Sequence, residues 1–241
     1  MHSIDENGNV CVDLDDFNEL SDTVRHREKI DNLIKILSCP KEVPCFSICF
    51  IFKNGQRHYI SNLYLWSVAY RTEGLYRGDV DHDRSIYNGK EFFIQRNISY
   101  DLEQASIVQL LESRYKLHTT FAMVRQSPDC DFIIEAYHHK RIENPEQLYQ
   151  QVKEEFETFI NKFIDAMQTE ILSALPSLKH LPIMNDKEFR KKIITRQLDK
   201  KPVTLTLREI ECLNLISQGM GSKEIADKLY LSIETINTQQ F

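Results

Sequence analysis

The side chains that first invite chemistry are the acid and imidazole run Asp79, Asp81, His82 and Asp83, and the pair His138-His139. Groups of this kind ligate metals or move protons. Neighbouring residues on a strand point to opposite faces, so His138 and His139 cannot share one ion without a bulge, and DVDHD lacks the glycine that turns a calcium loop. Six cysteines stand at positions 11, 39, 45, 49, 130 and 212, with no CxxC pair among them. The spacing of Cys39, Cys45 and Cys49 is not that of zinc ligands, and in a reducing compartment all six read as small buried hydrophobes. No GxSxG, phosphate-binding loop or dinucleotide fingerprint occurs. The expectation is no enzyme, no metal and no cofactor.

The elements that position these residues follow from periodicity. Residues 16–37 place Phe17, Leu20, Val24, Ile30, Leu33, Ile34 and Leu37 at helical intervals, and Pro40 ends the run. The period then changes. CFSICFIF and QRHYIS flank Lys53-Asn54-Gly55, and Asn-Gly between strand-like runs predicts a hairpin. TTFAMVRQ and DFIIEAYHH flank Ser127-Pro128-Asp129 as a second pair. Between the pairs, LYLWSVAYRTEGLY and LEQASIVQLLESRY read as helices. Asn144 as cap and Pro145 in the first turn open a further helix, with Leu148, Val152, Phe156, Phe159, Phe163, Met167 and Ile171 on one face, up to Pro176.

Helices before, within and after antiparallel hairpins predict an α+β fold, an α/β/α sandwich of PAS-like type over residues 1–176. PSLKHLPIMND, with prolines at 176 and 182, marks a boundary, so 177–201 reads as a linker and 202–241 as a separate, all-α domain. The longest apolar run, CFSICFIF, is far below the roughly 20 residues that cross a bilayer. The acidic N-terminus lacks the basic start and apolar stretch of a secretory signal, which places the chain in the cytoplasm, away from membranes. The net charge of −6 is uneven: from Lys187 onward there are 10 basic and 7 acidic residues, against 20 and 29 before it. Most of that excess lies in KEFRKKIITRQLDKK, residues 187–201, which is either a solvated face or the basic edge of a nucleic-acid-binding module.

The last forty residues carry the most specific signal. Thr206 and Glu209 are spaced as a capping box, Gly219 is a natural helix stop, SKEIADKL turns Ile225, Ala226 and Leu229 inward, and Ser232 opens a third helix. Two short helices with a polar-faced second element form the layout of a helix-turn-helix. LTLREIECLNLISQGMGSKEIADKLYLSIETINT resembles the LuxR-type helix-turn-helix of bacterial transcription regulators. Leu205, Thr206, Arg208, Glu209, Glu211, Leu213, Gly219, Lys223, Glu224, Ile225, Ala226, Leu229, Ser232 and Thr235 fall in its register.

That resemblance implies double-stranded DNA as partner. Lys223 and Thr235 would lie near phosphates, and Asn237, Thr238, Gln239 and Gln240 would face base edges or phosphates. Asn237 and Gln239 stand where the family carries Lys and His, which removes part of the counterion-release term. The family also continues its recognition helix and adds a fourth, so the helix-turn-helix reads as incomplete at Phe241. This gives a second expectation: a truncated sensor that dimerises without binding DNA, sequestering a ligand or pairing with intact regulators.

YISNLYLWSVAYRTEGLYRGDVDHD is similar to a segment of the acyl-homoserine-lactone-binding domains that precede this helix-turn-helix in quorum-sensing regulators. Trp66, Tyr70 and Asp79 keep the spacings of four and nine, while Val80 replaces a proline. By that resemblance Trp66 and Tyr70 hydrogen-bond the polar end of a small ligand, an acyl-lactone or another lipid-like molecule, and Asp79 accepts from an amide N–H. Phe50, Phe92 and Phe121 are expected to wall the apolar chain. The reading is a ligand-controlled, homodimeric transcription regulator.

Overall fold

The strand Cys45–Phe52 alternates between two apolar sets, and the fold grows from that alternation. Phe46, Ile48, Phe50 and Phe52 turn to one face and Cys45, Ser47, Cys49 and Ile51 to the other, and nearly all are buried. A computed structural model describes residues 3–4, 10–11, 21–78, 84–197, 211–212, 214–216, 219–229, 231–232 and 235. The chain divides into two compact units, Met1–Leu198 and Asp199–Phe241.

In the first unit a short ladder, β1 (Ser3–Ile4) with β2 (Val10–Cys11), precedes α1 (Asp22–Arg25) and α2 (Arg27–Ile36). Then come β3 (Cys45–Phe52), β4 (Arg57–Ser61), α3 (Tyr64–Thr72), α4 (Arg84–Tyr87) and β5 (Phe92–Phe93). Next are α5 (Leu102–Tyr115), β6 (His118–Gln126), β7 (Cys130–His138), α6 (Pro145–Ala166), α7 (Gln168–Ala174), α8 (Pro182–Asn185) and α9 (Lys187–Ile194). Five strands form an antiparallel sheet in the order β4-β3-β7-β6-β5. Both expected hairpins form, the first turning at Gly55 with φ +87°.

Helices cover both faces of the sheet. On one face, α2 and α6–α9 bury the largest cluster, where the Phe46 ring meets Phe159 and Phe163 edge-on at 5.3 and 5.1 Å. On the other, α3 and α5 close over Cys45 and Tyr137, while Tyr87 of α4 packs with Cys49, Ala122 and Ile133. This is the α/β/α sandwich of an α+β fold. Each face buries a sheet surface that would otherwise stay wet, and that burial is the main stabilising term.

Three sequence expectations change here. Asn144 precedes α6 without a side-chain cap, and the helical run expected up to Pro176 breaks at Met167 into α6 and α7. Residues 177–194, read as linker, fold onto the first unit: Leu178, Ile183, Met184, Ile193 and Ile194 are buried in its main core. The basic run is partly consumed internally. Arg190 is buried, donates to the carbonyls of Ile183 and Met184 and pairs with Asp165, and Arg196 pairs with Glu91 at 2.8 Å. Arg190 thereby ties α9 to α8 and α6, and Arg196 ties the segment after α9 to Glu91 beside β5.

Candidate ligand cavity and helix-turn-helix segment

The free edge of β4 decides where the first unit is open. An unpaired strand edge needs cover, and α1 supplies it: Thr23 Oγ1 accepts from the Ser61 amide at 3.2 Å, and Asp22 stands 3.9 Å from His58 Nδ1. Beside this edge, between the sheet and α3, lies a cavity of about 440 Å³. Cys49 and Tyr59 line it from the sheet, with Arg57 and His58 at the β4 edge. Ser67, Tyr70 and Arg71 line it from α3, and Ser21 and Tyr76 complete the wall. The volume lies within the roughly 300–1,000 Å³ of small-molecule sites.

Tyr70, expected as a ligand contact, lies on that wall. Its ring stacks on Tyr59 at 5.4 Å and meets Tyr76 at 6.3 Å. Trp66 lies one helical turn earlier and is only 4% exposed. Its indole packs edge-on against Tyr115 at 5.4 Å and stands 6.0 Å from Tyr70. It borders a neighbouring crevice of about 20 Å³, room for a single water. Asp79, with its neighbours Val80, Asp81, His82 and Asp83, lies outside the described residues.

Phe50, Phe92 and Phe121 do not line the cavity. Alternation along the strands sends all three to the opposite face, where Phe50 and Phe121 are buried in the main core and Phe92 stacks on Tyr149 at 4.1 Å. Rings of Tyr, not Phe, wall the cavity.

Two groups that the sequence left unmarked stand out electrostatically. Burial holds the His58 imidazole down at about 4, with Asp22 pulling upward and Arg71 and His26 pushing further down, so the ring is neutral near pH 7. Its Nε2 is buried without a hydrogen-bond partner. Glu135, on the central strand β7, borders the Trp66 crevice and accepts from Ser47 Oγ at 3.0 Å and from the Tyr137 hydroxyl. Burial, reinforced by Glu135, holds the Tyr137 phenol far above its ordinary range. A signal for His58 existed in the alternation of RHYIS, but its place at the sheet edge came from pairing that no local pattern encodes.

His138 ends β7 and His139 follows the strand, and the two rings meet different partners. His138 Nδ1 accepts from the Lys140 amide at 2.9 Å, while His139 Nε2 lies 3.8 Å from Cys45 Sγ. Cys39, Cys45 and Cys130 carry free thiols, and Cys45, Cys49, Cys130 and Cys212 are buried. Burial raises the Cys39 and Cys45 thiols to about 12 and about 11, which makes them packing groups with little thiolate at pH 7. Among the described residues no cluster of His, Cys, Asp and Glu could hold a metal, and no helix is long and apolar enough to cross a membrane.

The second unit has its own small core of Cys212, Leu215, Ile225 and Ala226. Gly219, at φ +82°, ends the first of its helices: its amide donates to the Ile216 carbonyl at 2.8 Å, and the Met220 amide reaches Leu215 at 3.2 Å. Paired bonds of this kind with a left-handed glycine satisfy the last carbonyls of a helix, and Met220 packs against the small core that contains Leu215. Glu224 then accepts from the Gly221 amide at 2.8 Å, opening the helix Ser222–Leu229. That helix buries Ile225 and Ala226 and leaves Lys223 exposed. Ser232 Oγ accepts from the Thr235 amide at 3.1 Å, the capping expected for the third helix. Thr206, Glu209, Asn237, Thr238, Gln239 and Gln240 lie outside the described residues.

Residues 203–240 match the profile of the bacterial regulatory proteins of the luxR family. No curated protein sequence matches the chain. Among solved structures, Escherichia coli SdiA is similar at 16% identity and a TM-score of 0.43, over 89% of this chain and 81% of that one. A structure described as SdiA in complex with octanoyl-rac-glycerol is similar at 14% identity and a TM-score of 0.39, over 94% of this chain and 83% of the other. Both TM-scores lie below 0.5, too low for either likeness to assign a function.

Proposed function

We propose that this chain, which carries a LuxR-family helix-turn-helix at residues 203–240, is a transcription regulator of quorum-sensing type whose first unit binds a small amphiphile. One pairing of features supports the reading: a cavity of ligand size, walled by Tyr59, Tyr70 and Tyr76, in a chain whose other unit carries a helix-turn-helix of regulators. The matched family is one of regulators, not of enzymes. The protein acts on double-stranded DNA as a homodimer, and the ligand shifts its affinity.

Each group has a part in this scheme. Tyr70 presents a hydroxyl and a ring face to the ligand, Trp66 braces Tyr70 from inside the packing, and Asp79 accepts from a ligand donor. On DNA, the exposed Lys223, together with Thr235, sets the register against phosphates, and the amides of Asn237, Thr238, Gln239 and Gln240 read base edges or phosphates. Neutral amides in place of two charges make the salt dependence shallow.

Fluorescence anisotropy with double-stranded fragments retained from sheared host DNA tests the DNA half. Lys223→Ala weakens binding uniformly across sequences and lowers the salt slope by about 1. An unchanged slope removes Lys223 from the phosphate contacts, and no binding by the unaltered chain at low salt removes the DNA assignment.

A further inference from the structure

The wall of the cavity beside β4 is asymmetric in charge. Among its described residues are two guanidinium groups, Arg57 and Arg71, and no carboxylate. Arg71 lies exposed in the last turn of α3 and forms no ion pair among the described residues. It sits close enough to His58 for its charge to act on that ring. His58 itself is 6% exposed, lines the same cavity and has a buried nitrogen, Nε2, with no partner. A neutral lactone ring satisfies hydrogen-bond donors but leaves a guanidinium uncompensated. A planar carboxylate does both, because its two oxygens match the guanidinium fork.

We propose that the ligand head group recognised here is a carboxylate, paired with Arg71 and hydrogen-bonded by the His58 imidazole, on a short apolar chain that lies against the rings of Tyr59, Tyr70 and Tyr76. This rests on the ligand-binding reading above and narrows it to anionic amphiphiles, foremost open-chain acyl amino acids, whose amide N–H also supplies the donor assigned to Asp79; a plain medium-chain fatty acid carries the head group alone. A single guanidinium, Arg71, with no ion pair among the described residues suits a monoanion. The orphaned imidazole nitrogen accounts for the second contact, because a buried polar atom without a partner gains most from a ligand that supplies one. Tyr59 lines both the cavity and the separate Trp66 crevice, so its ring stands between the two.

Calorimetric and thermal-shift titrations of the full chain with three probes test this. The probes are octanoate, N-octanoylhomoserine and its neutral lactone, run at pH 6.5 with the lactone checked for hydrolysis by mass spectrometry. The two carboxylates are expected to bind at least tenfold more tightly than the lactone. Arg71→Gln is expected to cost the carboxylates at least tenfold, leave the lactone within twofold, and leave the ligand-free melting temperature unchanged because the side chain is exposed. Arg71→Lys retains part of the affinity. Tighter binding of the lactone, or equal loss of all three in Arg71→Gln, overturns the carboxylate assignment while leaving the cavity a ligand site. Binding of none of the three overturns both.

Discussion

Arg125 on β6 and Glu157 on α6 form an ion pair sealed inside the first unit, with side chains only 1% and 6% exposed. The same guanidinium donates through Nε to the Ile194 carbonyl at 2.6 Å and through Nη1 to the carbonyls of Val124 and Glu91. One side chain therefore ties the sheet, the long helix and the end of α9 together. Breaking one half of such a pair leaves a buried charge uncompensated, which costs about 3–5 kcal/mol. Arg125→Met is expected to lose that much in urea unfolding followed by the fluorescence of Trp66, the one tryptophan in the chain. The double variant with Glu157→Met loses less than the sum of the singles. Additive losses would mean the two groups do not work as a pair.

His58 makes the first unit acid-sensitive. Its value of about 4 in the folded chain lies below the ordinary 6.5, so between those pH values the unfolded chain binds the extra proton. The stabilising contribution is complete above pH 6.5 and fades as pH falls towards 4, by up to about 3 kcal/mol. Replacing His58 with Gln flattens the stability profile across that window. A profile with the same slope after substitution would assign the acid sensitivity elsewhere.

Trp66 and Tyr70 separate by experiment, although the sequence treats them as one motif. Trp66 is buried against Tyr115, and Trp66→Ala is expected to cost about 3–5 kcal/mol of stability. Tyr70→Phe keeps the ring contacts and the melting temperature but weakens ligand binding severalfold, measured by the same calorimetry. Equal ligand loss in a stable Trp66 variant would instead place the indole in direct contact with the ligand.

Gly219 is a conformational requirement of the second unit. Its φ of +82° is one that a side chain adopts only with strain, and a β-branched residue there costs on the order of 1–2 kcal/mol. Hydrogen exchange should report Gly219→Val as faster exchange across 211–229, weaker DNA binding and an unchanged first unit. Unchanged exchange there would mean the helix end does not depend on the left-handed turn.

Much of the fold was written locally. Asn54-Gly55 announced its hairpin, and the two-residue period of CFSICFIF gave a strand buried on both faces. Ser232 and Gly219 do at the helix ends what their residue types suggest. Long-range partners decided the rest. Residues 177–194 look like a linker because Pro176 just before them, Pro182 within them and short helical runs carry no local signal of burial, yet Arg125 reaches across 69 positions to fix Ile194. Phe50, Phe92 and Phe121 are obvious candidates for an apolar pocket by type, and the faces to which alternation assigns them exclude them from it. His58 and Arg71 belong to different elements and meet at the cavity only because β4 is the sheet's edge.

The central claim is that occupation of the first unit changes the grip of the second on DNA. The most direct test is the dissociation constant of the full chain for a retained double-stranded fragment, at fixed salt, with and without saturating N-octanoylhomoserine. A coupling of 1–3 kcal/mol predicts a change of roughly 5- to 150-fold, absent in the Arg71→Gln variant at a concentration that saturates only the unaltered protein. An unchanged constant, with calorimetry confirming the cavity filled, would contradict the account.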